Sequence, residues 1–487
     1  MYVGIDLGTS EVKTLLVDAS QRIVAQAGVR LEVSRPQPMW SEQDPELWWT
    51  ATAQALGRLR AQAPQAWGGV RAIGLSGQMH GATLLDASGR ALRPAILWND
   101  TRAHAECLEL EQQVPAARAI TGNLAMPGFT APKLLWLRRH EPAVFAQVAR
   151  VLLPKDWLAL RMTGEAVSEP SDAAGTLWLD VARREWSTDM LAACGLQLSH
   201  MPRLVEGSEP RGTLRAAIAA EWGLPPGVVV AGGGGDNAAS AVGMGVVEHG
   251  DALVSLGSSG VMFVATDRFA PNPAGAVHAF CHALPGRWCQ MSVTLSAATS
   301  LSWLAGITGG IAEGELAAQA AHADPQSTPI FLPYLNGERT PHNDAHARGL
   351  FFGLSTRTGT PELAYAVLEG VAFSIADGYA ALQAAGTQVK QAVLVGGGAR
   401  SALWASLIAA ACGFAVARPA SGDQGGAFGA ARLARLAVSG EAPTEVCLAP
   451  PPAEVTAPEA ALVARLAPRL ARYRALYTQT RNLLDGG

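Results

Sequence analysis

The chain opens Met1-Tyr2-Val3-Gly4-Ile5-Asp6-Leu7-Gly8-Thr9-Ser10-Glu11-Val12-Lys13-Thr14-Leu15-Leu16-Val17, and this stretch governs how the rest is read. Two apolar runs flank Gly8-Thr9-Ser10, so two strands joined by a tight turn are expected, and Asp18-Ala19-Ser20 turns the chain into a third strand over residues 22–29. The pattern returns in Asp251-Ala252-Leu253-Val254-Ser255-Leu256-Gly257-Ser258-Ser259-Gly260-Val261. Leu7, Gly8, Ser10 and Val12 match Leu256, Gly257, Ser259 and Val261 at a constant offset. A repeated strand–turn–strand unit predicts two related α/β halves that hold a ligand between their turns. The boundary is expected within residues 243–250, giving halves 1–245 and 246–487.

Composition narrows the class of protein. A chain of 487 residues exceeds one ordinary core, and 49% hydrophobic against 16% charged residues describes a compact enzyme. The formal net charge of −4 offers no basic surface for nucleic acid. Cys107, Cys194, Cys281, Cys289, Cys412 and Cys447 form no C-x-x-C pair, which argues against a zinc site or disulfide framework and for a reducing cytoplasm. The start lacks the long apolar run of a signal peptide, and no stretch reaches the roughly 20 apolar residues that cross a bilayer, so neither export nor membrane insertion is expected.

Beyond the meander the reading is a helix over 45–61, a strand over 70–75, a loop carrying Gln78-Met79-His80, a hairpin over 82–95 ending at Trp98-Asn99-Asp100, and a terminal amphipathic helix over 460–484. Several segments place an acid or bare backbone at a strand end, where α/β proteins build sites. Asp6 sits in an apolar strand; it either organises magnesium through water or accepts nearby turn N–H groups. Gly232-Gly233-Gly234-Gly235-Asp236-Asn237 follows an apolar strand, and four glycines exceed what one helix cap needs, which favours a catalytic Asp236 over a capping one. Gly396-Gly397-Gly398-Ala399 opens a helix and suits adenosine or an α-phosphate, or is a packing loop. There is no G-x-x-x-x-G-K-[ST] loop, so phosphates would be met by the two glycine turns. Gln78-Met79-His80 suits hydroxyl recognition, although a lone histidine is more often structural.

These segments together resemble the FGGY carbohydrate kinases, nearly throughout residues 1–436. One family signature matches Gly128-Phe129-Thr130-Ala131-Pro132-Lys133-Leu134-Leu135-Trp136-Leu137-Arg138-Arg139-His140, and a second matches residues 349–370. Gln78-Met79-His80-Gly81, Leu97-Trp98-Asn99-Asp100, Leu153-Pro154-Lys155-Asp156 and Gly337-Glu338-Arg339-Thr340-Pro341-His342 are similar to the branch acting on D-xylulose. The resemblance implies two actin-like ATPase (ribonuclease H-like) domains with a ligand cleft between them, 1–245 for sugar and 246–487 for nucleotide. It implies ATP, Mg2+ and D-xylulose as ligands, phosphorylation of the C5 hydroxyl, no nucleic-acid or membrane partner, and room for a homodimer. By the same resemblance Asp236 is the base and Asp6 the magnesium-organising acid. Gln78, Met79, His80, Trp98 and Asn237 line the sugar site, and Thr9, Ser10, Lys13, Gly257, Ser258, Gly397, Gly398 and Ala399 bind ATP.

Three departures stand out. Glu11 replaces a usual glycine, and its carboxylate either lies beside the phosphates or points to solvent. Ser258 replaces threonine and keeps the hydroxyl. The run Gly232–Gly235 is one residue longer than usual, which either misplaces Asp236 or bulges. The rival expectations are another FGGY kinase (for ribulose, gluconate or glycerol), an actin-like ATPase coupled to a protein partner, and a relative that binds without turnover.

Overall fold

The computed structural model describes residues 1–420 and 425–483; Leu484, the expected end of the last helix, lies outside them. One mixed sheet is built from β1 (Tyr2–Leu7), β2 (Glu11–Val17), β3 (Ile23–Arg30), β4 (Ala72–Gly77), β5 (Pro210–Thr213), β6 (Val229–Ala231) and β7 (Gly234–Gly235), in the order β5-β6-β4-β1-β2-β3 with β7 also on β4. The second contains β8 (Asp251–Leu256), β9 (Gly260–Thr266), β10 (His278–Cys281), β11 (Trp288–Thr294), β12 (Gln391–Val395), β13 (Ala415–Pro419) and β14 (Pro452–Thr456), ordered β10-β11-β9-β8-β12-β13-β14. In each half an antiparallel meander (β1-β2-β3; β8-β9-β11) continues into a parallel run (β1-β4-β6; β8-β12-β13). The repeat read from the two glycine turns is therefore a repeat of sheet topology.

Ten helices matter to the site: α1 (Pro45–Gln62), α2 (Thr130–His140), α3 (Pro154–Thr163), α4 (Asp236–Gly243), α5 (Ala298–Ile307), α6 (Glu313–Ala320), α7 (Thr360–Ala384), α8 (Ala402–Cys412), α9 (Gly425–Ser439) and α10 (Ala460–Thr480). The first shows the local logic. Asp44 caps it by accepting the Glu46 N–H at 3.0 Å, Pro45 fixes its first turn, and Trp48, Thr52, Ala55 and Leu59 return at helical spacing to its buried face.

Helix α9 lies in sequence between β13 and β14 of the second sheet but packs on the first. A Cβ on Gly4 would collide with the Ala427 carbonyl, and one on Gly74 with that of Ala430, so two central strands carry glycine where the helix backbone rests on them. Gly429 admits the backbone of α4 at Ala239 in the same way. Arg432 then donates to the carbonyls of Val242 and Gly243 at 2.9 and 3.1 Å, joining the two helices. The halves also meet at Asn123, which binds His278 and the Ala279 backbone, and at Arg184, which reaches the Arg287 carbonyl at 2.7 Å.

Two local expectations change. The hairpin over 82–95 is reduced to isolated bridges, because Thr83–Leu85 pairs instead with Arg150–Leu152 and Ala95–Ile96 with Glu42–Gln43. The longer glycine run bulges: β4 pairs Ile73 with Val230 but Ser76 with Gly234, so three residues oppose two and the extra one is absorbed before Asp236.

Candidate active site

Asp236 is the first residue of α4, after the bulge has returned the chain to β4. Gly235, not Asp236, occupies the cap position, and its N–H is held by Ser171 Oγ at 3.1 Å. One Asp236 oxygen accepts the Asn237 backbone N–H at 2.7 Å and its side-chain amide at 2.9 Å. Asn237 is thereby turned toward the carboxylate. Burial, and then the charge of Asp6, push the Asp236 carboxyl up to about 6. Such a group is ionised at neutral pH yet basic enough to take a proton.

Asp6 lies near the carboxyl end of β1, where Ser76 Oγ donates to it at 2.8 Å and the start of α9 comes against it at Gly426. Lys13 stands opposite it on β2, exposed, and with Asp6, Glu11 and Gly426 lines an open space of about 680 Å³. Glu11 folds across Gly28 of β3 and is half-buried there.

His80 adopts φ 69°, a strained conformation for a non-glycine residue, and its neighbours hold it there. Lys133 Nζ and Thr130 Oγ1 of α2 donate to its carbonyl at 2.9 and 3.1 Å, so the first signature helix secures the histidine backbone. Burial lowers the Lys133 pKa to about 7. The His80 ring places Nδ1 2.7 Å from the Gly175 carbonyl, which assigns the proton to Nδ1 and leaves Nε2 as an acceptor. Burial drops its pKa to about 3, so the ring is neutral. Met79 is buried between Gly175 and Gly235, where any Cβ would press on it.

Gln78 and Trp98 are occupied by the first turn. The Thr9 hydroxyl donates to Gln78 Oε1 and accepts from Trp98 Nε1, both at 2.9 Å, while Gln43 holds the Thr9 carbonyl at 2.8 Å. Gln78 is buried, with its amide nitrogen on Gln43 at 3.0 Å. Trp98 is instead about half exposed. Ser10 is exposed and its carbonyl accepts the Leu31 N–H. With the Thr9 hydroxyl engaged, the turn offers ligands its main chain.

In the second half, the Gly257 and Ser258 carbonyls accept from Ala298 and Ala297, which seats the turn on the start of α5. Beside it a cavity of about 410 Å³ is lined by Ala298, Leu301, Gly314, Ala317, Gly397 and Gly398. A Cβ on Gly398 would strike Leu256 and Trp404. Ala399 lies apart from this cavity and lines a neighbouring hollow with Arg418.

The sequence reading missed Ser171, Gly175 and the charges beneath them. Lys155, buried on α3, lies 2.8 Å from Asp156, 3.3 Å from Glu169 and 3.1 Å from Asp172, and Arg211 reaches Asp156 at 2.8 Å. Burial and the charges of Asp156 and Glu169 raise the Asp172 pKa well above its usual value against the pull of Lys155, so its proton balances the cluster. Glu169 caps the turn at Ser171 and Asp172. The only sequence signal was Lys155-Asp156 inside an apolar stretch.

Residues 1–243 match the N-terminal domain of the FGGY family of carbohydrate kinases, and residues 252–438 match its C-terminal domain. The chain is 53% identical to the xylulose kinase of Escherichia coli K12, covering 98% of this chain and 99% of that one, and 52% identical to that of Klebsiella pneumoniae over 100% of both. The crystal structure of a xyloylose kinase from Brucella ovis superimposes with a TM-score of 0.97 at 52% identity, covering 99% of each chain. The xylulose kinase structure from Rhodospirillum rubrum gives 0.93 at 29% identity, again over 99% of each. The chain therefore belongs to the FGGY family of carbohydrate kinases.

Proposed function

We infer that this protein transfers the γ-phosphoryl group of ATP to the C5 hydroxyl of D-xylulose, giving xylulose 5-phosphate and ADP. The observation that carries the reading is Asp236: a carboxylate at a helix start, its pKa raised to about 6 by burial and Asp6, in a chain whose full-length relatives are xylulose kinases. Asp236 takes the proton of the C5 hydroxyl as its oxygen attacks phosphorus in line, and the P–O bond to ADP breaks. Asn237 fixes the carboxylate rotamer, and His80 Nε2 accepts from a sugar hydroxyl. The phosphates meet the main chain of the turns at Thr9 and Ser258, with the nucleoside in the cavity between α6 and α8.

Mg2+ fits Asp6. Its carboxylate is half-buried and close to Asp236, while no three metal-ligating side chains cluster among the described residues, as suits a cation that keeps its waters and takes one or two carboxylates. Bound there, it would neutralise charge on the ATP phosphates.

Six free cysteines fit a cytosolic site of action, and no helix among the described residues is long and apolar enough to cross a membrane. A homodimer is tested by sizing chromatography. Activity is tested on D-xylulose, ribulose, gluconate and glycerol with coupled ADP detection. D-xylulose is expected to give the highest kcat/KM; ATP turnover independent of any sugar would contradict the reading.

A further inference from the structure

The segment from Gly337 to His342 has no part in the mechanism above, yet it is held with unusual care. Glu338 is buried, and its carboxylate accepts from Thr294 Oγ1, the Leu295 N–H at 2.9 Å, the Arg339 N–H at 2.7 Å and Ser374 Oγ at 3.0 Å. Thr340 continues the clamp, exchanging bonds with the Val293 backbone at 3.0 Å and donating its hydroxyl to the Ala276 carbonyl at 2.9 Å. Arg339 is thereby fixed on β11, with Nη1 3.5 Å from Nε2 of His278. Burial lowers its pKa, and among the described residues no carboxylate pairs with it. A half-buried guanidinium that, among the described residues, feels the charge of Glu338 but makes no salt bridge is costly, so a ligand that accepts hydrogen bonds would satisfy it.

The surroundings say what kind of ligand. His278 Nδ1 lies 3.0 Å from Asn123 Oδ1, which also receives the Ala279 N–H at 3.3 Å. The proton sits on Nδ1 and the facing nitrogen accepts from Arg339. His80 is set in the same way by Gly175. The rings form a closed wall: His80 to Phe129 at 4.7 Å, Phe129 to His278 at 5.6 Å, His278 to Phe280 at 5.5 Å and Phe280 to His80 at 6.3 Å. Of the two ring acceptors in this wall, His278 Nε2 is taken by Arg339 and His80 Nε2 is left for a ligand, near a group that only donates, Arg339. An α-hydroxyketone matches that pair, its hydroxyl donating and its carbonyl accepting. A polyol puts a hydroxyl in place of the carbonyl, which gives the guanidinium a weaker acceptor and brings a hydrogen that needs a partner of its own.

We propose that Arg339 is a specificity-determining contact that donates to the carbonyl oxygen of a ketopentose while His80 accepts from the adjoining hydroxyl. The inference rests on the sugar-kinase reading above and extends it to a residue supplied by the second half of the chain.

The test compares wild type, Arg339→Met and Arg339→Lys by the KM for D-xylulose, the competitive Ki for xylitol, in which the carbonyl is reduced, and the KM for ATP. Arg339→Met is expected to raise the D-xylulose KM roughly 10- to 100-fold while the xylitol Ki moves less than about threefold and the ATP KM stays level; Arg339→Lys recovers part of the loss. The two sugar constants moving together, or neither moving, would overturn the proposal. The ratio of the two constants is independent of how much enzyme is folded, and Arg339→Lys carries it if the methionine variant does not fold. A wild type without D-xylulose turnover defeats the parent reading; a wild type with turnover and an unmoved ratio defeats this proposal alone.

Discussion

The hairpins that open the two halves share a backbone plan and differ in the groups placed on it. At the repeat offset Asp6 corresponds to Ser255, Thr9 to Ser258, Glu11 to Gly260 and Lys13 to Met262. The first hairpin pairs Leu7 with Val12, the second Leu256 with Gly260, so the first turn is one residue longer and Glu11 closes it by accepting the Gly8 N–H at 3.0 Å. The first turn is steadied by the side chains of Gln78, Gln43 and Trp98, the second by the main chain that begins α5. Both candidate reacting carboxylates come from the first half, and the cavity of glycine and alanine from the second. On the proposed reading, two turns of one plan face the phosphates, the polar side chains of the first half serving chemistry and the bare backbone of the second serving the nucleotide.

The largest test of that division is Asp236→Asn, which should lower kcat roughly 10²- to 10⁴-fold. The same carboxyl has a folded pKa near 6, above its usual 3.8, so its ionisation costs stability that is lost as pH rises from about 4 to 6. Asp236→Asn should therefore be more stable than wild type at pH 7 by on the order of 1–3 kcal/mol, read as a higher Tm. In the wild type, kcat/KM should fall below about pH 6 with unit slope, and His80, with a pKa near 3, should add no limb above pH 5.

Next in size is His80→Ala, expected to raise the sugar KM by about 5- to 150-fold with ATP unaffected. Its counterpart in the second half is Gly398→Ala, whose added methyl meets Leu256 and Trp404 and should raise the ATP KM with little change for sugar. Crossed effects, sugar from Gly398 or nucleotide from His80, would break the division of labour. Glu11→Gln should change either KM less than about threefold, because the side chain lies over Gly28 of β3.

The sequence made the meander, the repeat and the strand-end acids legible because each depends on local periodicity or on glycine at a turn. It did not show that α9 returns to the first sheet, since Gly4 and Gly74 reveal their purpose only when the helix lies on them. Nor could it separate Gln78, which holds the Thr9 turn, from His80, whose Nε2 stays available; neighbours in sequence point to different partners. The buried Lys155 cluster and the clamp on Arg339 join residues far apart in the chain, and no spacing rule reports them.

The most direct measurement is a crystal structure with D-xylulose and a non-hydrolysable ATP analogue. The account predicts an Asp236 carboxylate oxygen about 2.6–3.2 Å from the sugar's O5, with the nucleoside against Gly397 and Gly398. A well-ordered sugar whose O5 lies out of hydrogen-bond reach of Asp236, with the nucleotide bound, would contradict it.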